Sequence, residues 1–111
     1  MREVLFHIEG QTTGSLHLPI LNQIVIGRAD TDGGAQPSLD LSPYGGATWG
    51  VSRVHAVIAF EDEMLYLEDL DSTSGTRING LSLIPNRAYR LRDGDELEFG
   101  QVRIVVRFSR I

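Results

Sequence analysis

The 111-residue sequence predicts an all-β sandwich, and three observations carry that reading. Apolar and polar residues alternate over short runs, the pattern of strands that bury one face. Glycine, asparagine, aspartate and proline recur between those runs as turn formers. No stretch sustains the 3.6-residue period of an amphipathic helix. The length fits one domain with a single core, and neither an internal repeat nor a linker divides it.

In chain order, Val4-Leu5-Phe6-His7-Ile8 reads as a strand, residues 9–14 as a turn, and Ser15-Leu16-His17-Leu18 as an alternating second strand. His7 and His17 sit at strand positions with no third ligand at metal-binding spacing, so both read as half-exposed sheet residues. Pro19 and Asn22 punctuate before Gln23-Ile24-Val25-Ile26, which ends at Gly27-Arg28. Residues 29–50 are the least regular region, rich in glycine, proline and aspartate around Leu39 and Leu41. A connection this long in a compact domain is usually functional or disordered. Its acids, Asp30, Asp32 and Asp40, lack the spacing and terminal glutamate of a calcium loop and read as solvated. Tyr44 and Trp49 read as aromatics that pack the loop.

Residues 50–56 place Ser52, Arg53 and His55 immediately before a strand over 55–60. The acidic turn Glu61-Asp62-Glu63 leads into a strand over 64–70, and a small-polar loop over 71–76 follows. Asn79-Gly80 predicts a two-residue hairpin, since both residues tolerate positive φ. Asp93-Gly94 reads as a turn of the same kind before residues 95–99, and Gly100 separates that strand from the last, over 102–108. About ten short strands result.

Composition narrows the function classes. Hydrophobic content of 41% and charged content of 23% describe an ordinary globular domain. A net charge of −5 argues against a general nucleic-acid binder. All ten basic residues are arginine, which reads either as base composition or as a supply of fork-shaped anion ligands. No apolar run is long enough for a bilayer, and the start is not a signal peptide, so no membrane association and a cytoplasmic location are expected. The absence of cysteine excludes disulfides and thiolate metal sites; no metal and no cofactor are expected.

Two chemistries compete for residues 50–56. Acyl transfer needs a nucleophile, a base and an acid that orients the base. Ser52 and His55 lie three apart, but His55 opens a strand and no nucleophile elbow is present, so it reads as a buried histidine bonded to backbone. No enzyme is expected. Phosphate binding fits better, because a phosphoryl group wants a guanidinium with hydroxyl and backbone donors. Arg28, Ser52 and Ser72-Thr73-Ser74 come from three separate connections, and alternate connections of a sandwich emerge at one end. Taken singly, Arg28 reads as a surface residue and Thr73 as a turn-stabilising hydroxyl.

Taken together, Gly27-Arg28, then Ser52-Arg53-Val54-His55-Ala56, then residues 69–80 resemble the signature of the forkhead-associated (FHA) family, and residues 91–100 resemble its closing strands. The resemblance covers roughly residues 2–108. It implies a single domain over 1–111, of a sort usually carried as a module in a larger protein. It also implies an FHA-type β-sandwich of eleven strands, in two packed sheets with ligand loops at one end. The implied activity is recognition of a Thr-phosphorylated protein or peptide, here in Ser/Thr-kinase signalling, with a monomer expected. Carried over by position, Arg28 pairs with the phosphate, Ser52 donates its hydroxyl, and Thr73 contacts the phosphate while shaping the threonine-methyl pocket. Arg53, Ser74 and Asn79 match positions that meet the peptide main chain, Arg53 also being able to reach the phosphate. Gly27, His55, Gly75 and Gly80 match structural positions, with Gly27 keeping the first loop open and His55 bracing the Ser52 loop. Two departures stand out. Ser74 replaces a frequent asparagine, which weakens one peptide contact. The acidic connection over 29–50 favours a basic or neutral residue about three positions after the phosphothreonine. Both departures add weight to an alternative reading, a phosphate-independent interaction or assembly domain using the sandwich face.

Overall fold

The computed structural model describes residues 2–11, 14–30 and 32–110. Thr12 and Thr13 of the first expected turn and Thr31 of the long connection lie outside the described residues. Among those described, eleven strands form: β1 Arg2–Ile8, β2 Leu16–Pro19, β3 Gln23–Gly27, β4 Leu39–Asp40, β5 Val54–Glu61, β6 Met64–Asp69, β7 Thr76–Ile78, β8 Leu81–Ser82, β9 Ala88–Leu91, β10 Glu96–Phe99 and β11 Val102–Arg110. They make a six-stranded sheet in the order β2-β1-β11-β10-β7-β8 and a five-stranded sheet in the order β4-β3-β5-β6-β9. No described helix is long and apolar enough to cross a membrane.

The alternation read from the sequence sets the packing. Val4, Phe6 and Ile8 of β1, Leu97 and Phe99 of β10, and Val102, Ile104 and Val106 of β11 point inward from one sheet. Ile24 and Ile26 of β3, Ile58 of β5 and Leu65 and Leu67 of β6 meet them from the other. Full burial of such side chains stabilises the fold by roughly 1.5–3 kcal/mol each.

Three features differ from the sequence reading. The apolar Leu39 lies in a short strand, β4, which runs parallel to β3 with Leu39 opposite Ile26. β9 is a separate strand paired with β6. The Asp93-Gly94 turn joins β9 in one sheet to β10 in the other, so it changes sheets instead of closing a hairpin. Turn chemistry is the same in both cases, since Gly94 supplies φ 89 wherever the chain goes next.

A bulge shapes one end of the sandwich. Ile26 faces Ala56 and Gly27 faces Val54, so β5 carries one extra residue, His55, opposite β3. His55 and Ala56 are consequently both buried, against the strict alternation of a regular strand.

Candidate functional site

The site lies where the connections β3–β4, β4–β5 and β6–β7 meet, and Gly27 lets the first two approach. A Cβ on Gly27 would stand 1.9 Å from the Arg53 carbonyl oxygen, which no side chain permits. Gly27 therefore closes two loops onto each other, where the sequence reading had it keep one loop open. The Arg28 N–H donates to that same Arg53 oxygen at 3.2 Å.

Arg28 is half-buried, and its Nε donates to the Val51 carbonyl at 2.6 Å. This fixes the guanidinium beside Ser52 and leaves its terminal nitrogens for a ligand, with no carboxylate paired to it among the described residues. Ser52 Oγ accepts the N–H of Thr73 at 3.1 Å, tying the β4–β5 loop to the β6–β7 loop. With a lone pair engaged there, the hydroxyl hydrogen is free to point at an acceptor. Arg28, Ser52 and Thr73 are thus brought together.

His55 sits beneath them, fully buried. Its Nδ1 accepts the Ser52 N–H at 3.0 Å, so the ring proton is on Nε2, which donates to the Gly75 carbonyl at 2.9 Å. One neutral imidazole thereby spans both loops, and its ring packs edge-on against Phe99 with centroids 5.7 Å apart. Burial holds its pKa below the ordinary value, outweighing the bond to Gly75 and the charge of Asp69, which both raise it. A base needs a free nitrogen aimed at a nucleophile, and both ring nitrogens are engaged with backbone.

Asp69, which the sequence reading did not single out as a site residue, anchors the β6–β7 loop. It occupies an inward position at the end of β6 and is 1% exposed. Its Oδ1 accepts the hydroxyls of Ser72 at 2.5 Å and Thr76 at 2.7 Å, and its Oδ2 accepts the Ser72 N–H at 3.2 Å. Ser72 Oγ in turn accepts the Gly75 N–H at 3.0 Å. The signal available in sequence was an acid at an inward strand position with hydroxyl residues three and seven places on. No described buried side-chain nitrogen or oxygen lacks a partner. Asp40 plays a similar part below Arg28, its Oδ1 accepting the N–H groups of Ala29 and Ser42 at 2.9 Å each. Partial burial opposes its charge, but these bonds and the Ser42 hydroxyl prevail and keep its carboxyl below the usual range.

The remaining expected residues separate into two groups. Arg53 is exposed and only loosely paired with Asp30, at 3.8 Å. Ser74 is exposed beside Gly50, on a cleft of about 360 Å³ that Trp49, Arg77 and Gln101 also line. Trp49 is half-exposed there, whereas Tyr44 packs on the core. Gly75 adopts φ 85 at the loop end. Asn79 is not part of this cluster. With Gly80 it forms the β7–β8 turn at φ 49 and φ 85, and its amide is committed internally. Its Nδ2 donates to Asp95 Oδ1 at 3.0 Å, and its Oδ1 accepts the Glu96 N–H at 2.9 Å.

Comparison with known proteins places this arrangement. A family profile described as FHA domain matches residues 24–100. Protein FraH of Nostoc sp. (strain PCC 7120) is 38% identical over 87 residues, covering 78% of this chain and 29% of FraH. The FHA domain-containing protein FhaA of Mycobacterium tuberculosis is 40% identical over 58 residues, 52% of this chain and 10% of FhaA. The chain thus spans under a third of either curated relative. Among solved structures, a domain studied for phosphothreonine-dependent FHA interactions superposes with a TM-score of 0.74 at 26% identity, covering 98% of this chain and 99% of that one. The FhaA FHA domain, complexed with the intracellular domain of Rv3910, gives 0.71 at 27% identity over 94% and 99%.

Proposed function

This chain belongs to the FHA domain family, and from that premise we propose that it is a non-catalytic module that recognises a phosphothreonine-bearing segment of a partner protein in Ser/Thr-kinase signalling. One solved relative was studied for phosphothreonine-dependent interactions and another is complexed with a protein domain, which supports a protein ligand here. The observation that carries the proposal is the linkage of three loops around one point: Arg28 Nε on the Val51 carbonyl, and Ser52 Oγ under the Thr73 N–H.

In this reading the Arg28 guanidinium supplies charge and two donors, and the Ser52 hydroxyl donates to a phosphate oxygen. The exposed Thr73 flanks the phosphothreonine, while Arg53 and Ser74 meet the main chain of the peptide. Asn79 holds the β7–β8 turn and takes no ligand contact. Charge-assisted hydrogen bonds contribute roughly 1.5–3 kcal/mol each. A few of them, less the cost of ordering a flexible peptide, give a dissociation constant on the order of micromolar. The cleft beside Ser74 holds Trp49 and Arg77 and no carboxylate among its lining residues. Arg77 is itself paired with Glu98 at 3.7 Å, so the aromatic face of Trp49 is the main feature this cleft offers a residue after the phosphothreonine, beside the basic or neutral preference expected from Asp30 and Asp32.

Calorimetric titration with matched phosphothreonine, phosphoserine and unphosphorylated peptides tests the proposal. Binding is expected for the phosphothreonine form, at least about tenfold weaker for the unphosphorylated one, and absent in a folded Arg28→Ala variant. Equal affinity for phosphorylated and unphosphorylated peptides, or unchanged binding by Arg28→Ala, overturns it.

A further inference from the structure

The two sheets each end in an open edge on one flank of the sandwich, β8 in the six-stranded sheet and β9 in the five-stranded one. Between these edges lies a cleft of about 450 Å³, its apolar wall formed by Ile78, Leu81, Leu83 and Tyr89. Leu81 is 74% exposed and the neighbouring Ile84 51%, large apolar exposures for a domain this size. Arg90 and Arg92 also line the cleft, and Arg87 lies in the connection leading into β9.

The charge at this flank is opposite to that of the chain. Arg87, Arg90 and Arg92 are exposed, and none pairs with a carboxylate among the described residues. Asp95, the acid in the cleft lining, has both oxygens engaged, Oδ1 with the Asn79 amide at 3.0 Å and Oδ2 with the Arg92 N–H at 2.7 Å. In a chain of net charge −5, three arginines against the single carboxylate of Asp95 leave this flank net positive, a local field that attracts acidic ligands. β8, two residues long, and β9, four residues long, are the outer strands of their sheets on this flank, and a sheet edge suits extended backbone.

We propose that this flank docks an unphosphorylated, extended, acidic segment of a protein partner. Its apolar side chains enter the cleft between Leu81 and Tyr89, and its carboxylates face Arg87, Arg90 and Arg92. The cleft lies along β7, β8 and the Arg90–Arg92 stretch, and neither Ser52 nor Thr73 lines it, whereas Arg87 stands toward the Asp69 end of β6, since the neighbouring Asn86 N–H donates to the Asp69 carbonyl at 2.8 Å.

The test is titration of the isotope-labelled domain with two short unphosphorylated peptides, one alternating glutamate with leucine and one alternating lysine with leucine. The acidic peptide is expected to shift the amide resonances of Leu81, Ile84, Tyr89 and Arg90 and to leave Ser52 and Thr73 in place. Combined Arg90→Glu and Arg92→Glu substitution is expected to weaken it about tenfold, and Leu81→Ser, at an exposed position, provides a second variant free of charge reversal. Added salt weakens the interaction by screening. Absence of these shifts, or equal binding of the lysine peptide, overturns the proposal. So does concentration-dependent self-association abolished by the same substitutions, which assigns the flank to a second copy of the chain.

Discussion

Replacing His55 by alanine probes the joint between the β4–β5 and β6–β7 loops. The substitution removes the acceptor for the Ser52 N–H and the donor to the Gly75 carbonyl. Each group left without its partner costs about 1–3 kcal/mol when buried. The lower end applies here, because Gly75 also accepts the Gly100 N–H at 3.1 Å and Ser52 is only half-buried. Loss of the edge-on contact with Phe99 adds roughly 0.5–1.5 kcal/mol, and the void left by the ring adds more. The sum is about 3–5 kcal/mol, a large share of the 5–15 kcal/mol typical of a domain. At about 4 °C per kcal/mol for this size, the melting temperature should fall by roughly 12–20 °C. Thermal unfolding followed by circular dichroism and calorimetry measures this directly. Phosphopeptide titration well below the new midpoint should also show weakened affinity, since Ser52 and Gly75 lose their common support. A melting temperature within about 2 °C of the parent would refute the reasoning.

Protonation should act on the same joint. The folded state holds His55 neutral below its ordinary pKa of 6.5, whereas the unfolded chain takes up a proton near that value. The unfolded state therefore binds more protons in this window; the contribution is complete above about pH 6.5 and is lost as pH falls through it. Denaturant titrations across this range should show that slope, and His55→Ala should reduce it. Gly27→Ala should unfold the domain or displace residues 52 and 53, because its Cβ would stand 1.9 Å from the Arg53 oxygen; a folded variant with parental phosphopeptide affinity and Ser52 resonances would contradict this. Asp69→Ala should cost roughly 2–4 kcal/mol by leaving the buried Thr76 hydroxyl and Ser72 without their acceptor. Faster amide exchange over residues 70–75 would mark the loosened loop, and parental exchange there would count against the role given to Asp69.

The strands that alternate strictly, and the Asn79-Gly80 turn, were legible in sequence because each depends on local chemistry. The motif residues at Arg28, Ser52 and Thr73 were legible as types, but their meeting was not, since it depends on two connections within the five-stranded sheet and a third that crosses to the other. β4 was hidden because its two residues gain strand geometry only by pairing with β3. The β5–β6 turn uses Asp62 at φ 50 and Glu63 at φ 68, left-handed residues where glycine or asparagine would have announced the conformation. Asp69 looked like a polar strand end until its hydroxyl partners were placed around it. The amide of Asn79 could equally have faced a ligand; only the packing of β10 against β7 shows it turned toward Asp95 and Glu96.

The imidazole of His55 joins the loop before β5 to the threshold of β7 in the other sheet, so the proposed ligand seat straddles the seam of the sandwich. A bound phosphate held by Arg28 and Ser52 on one side and Thr73 on the other would work as a clasp across that seam. Occupancy then resists sliding of the two layers, and a ligand at a hundred times its dissociation constant adds about 2.7 kcal/mol against their separation.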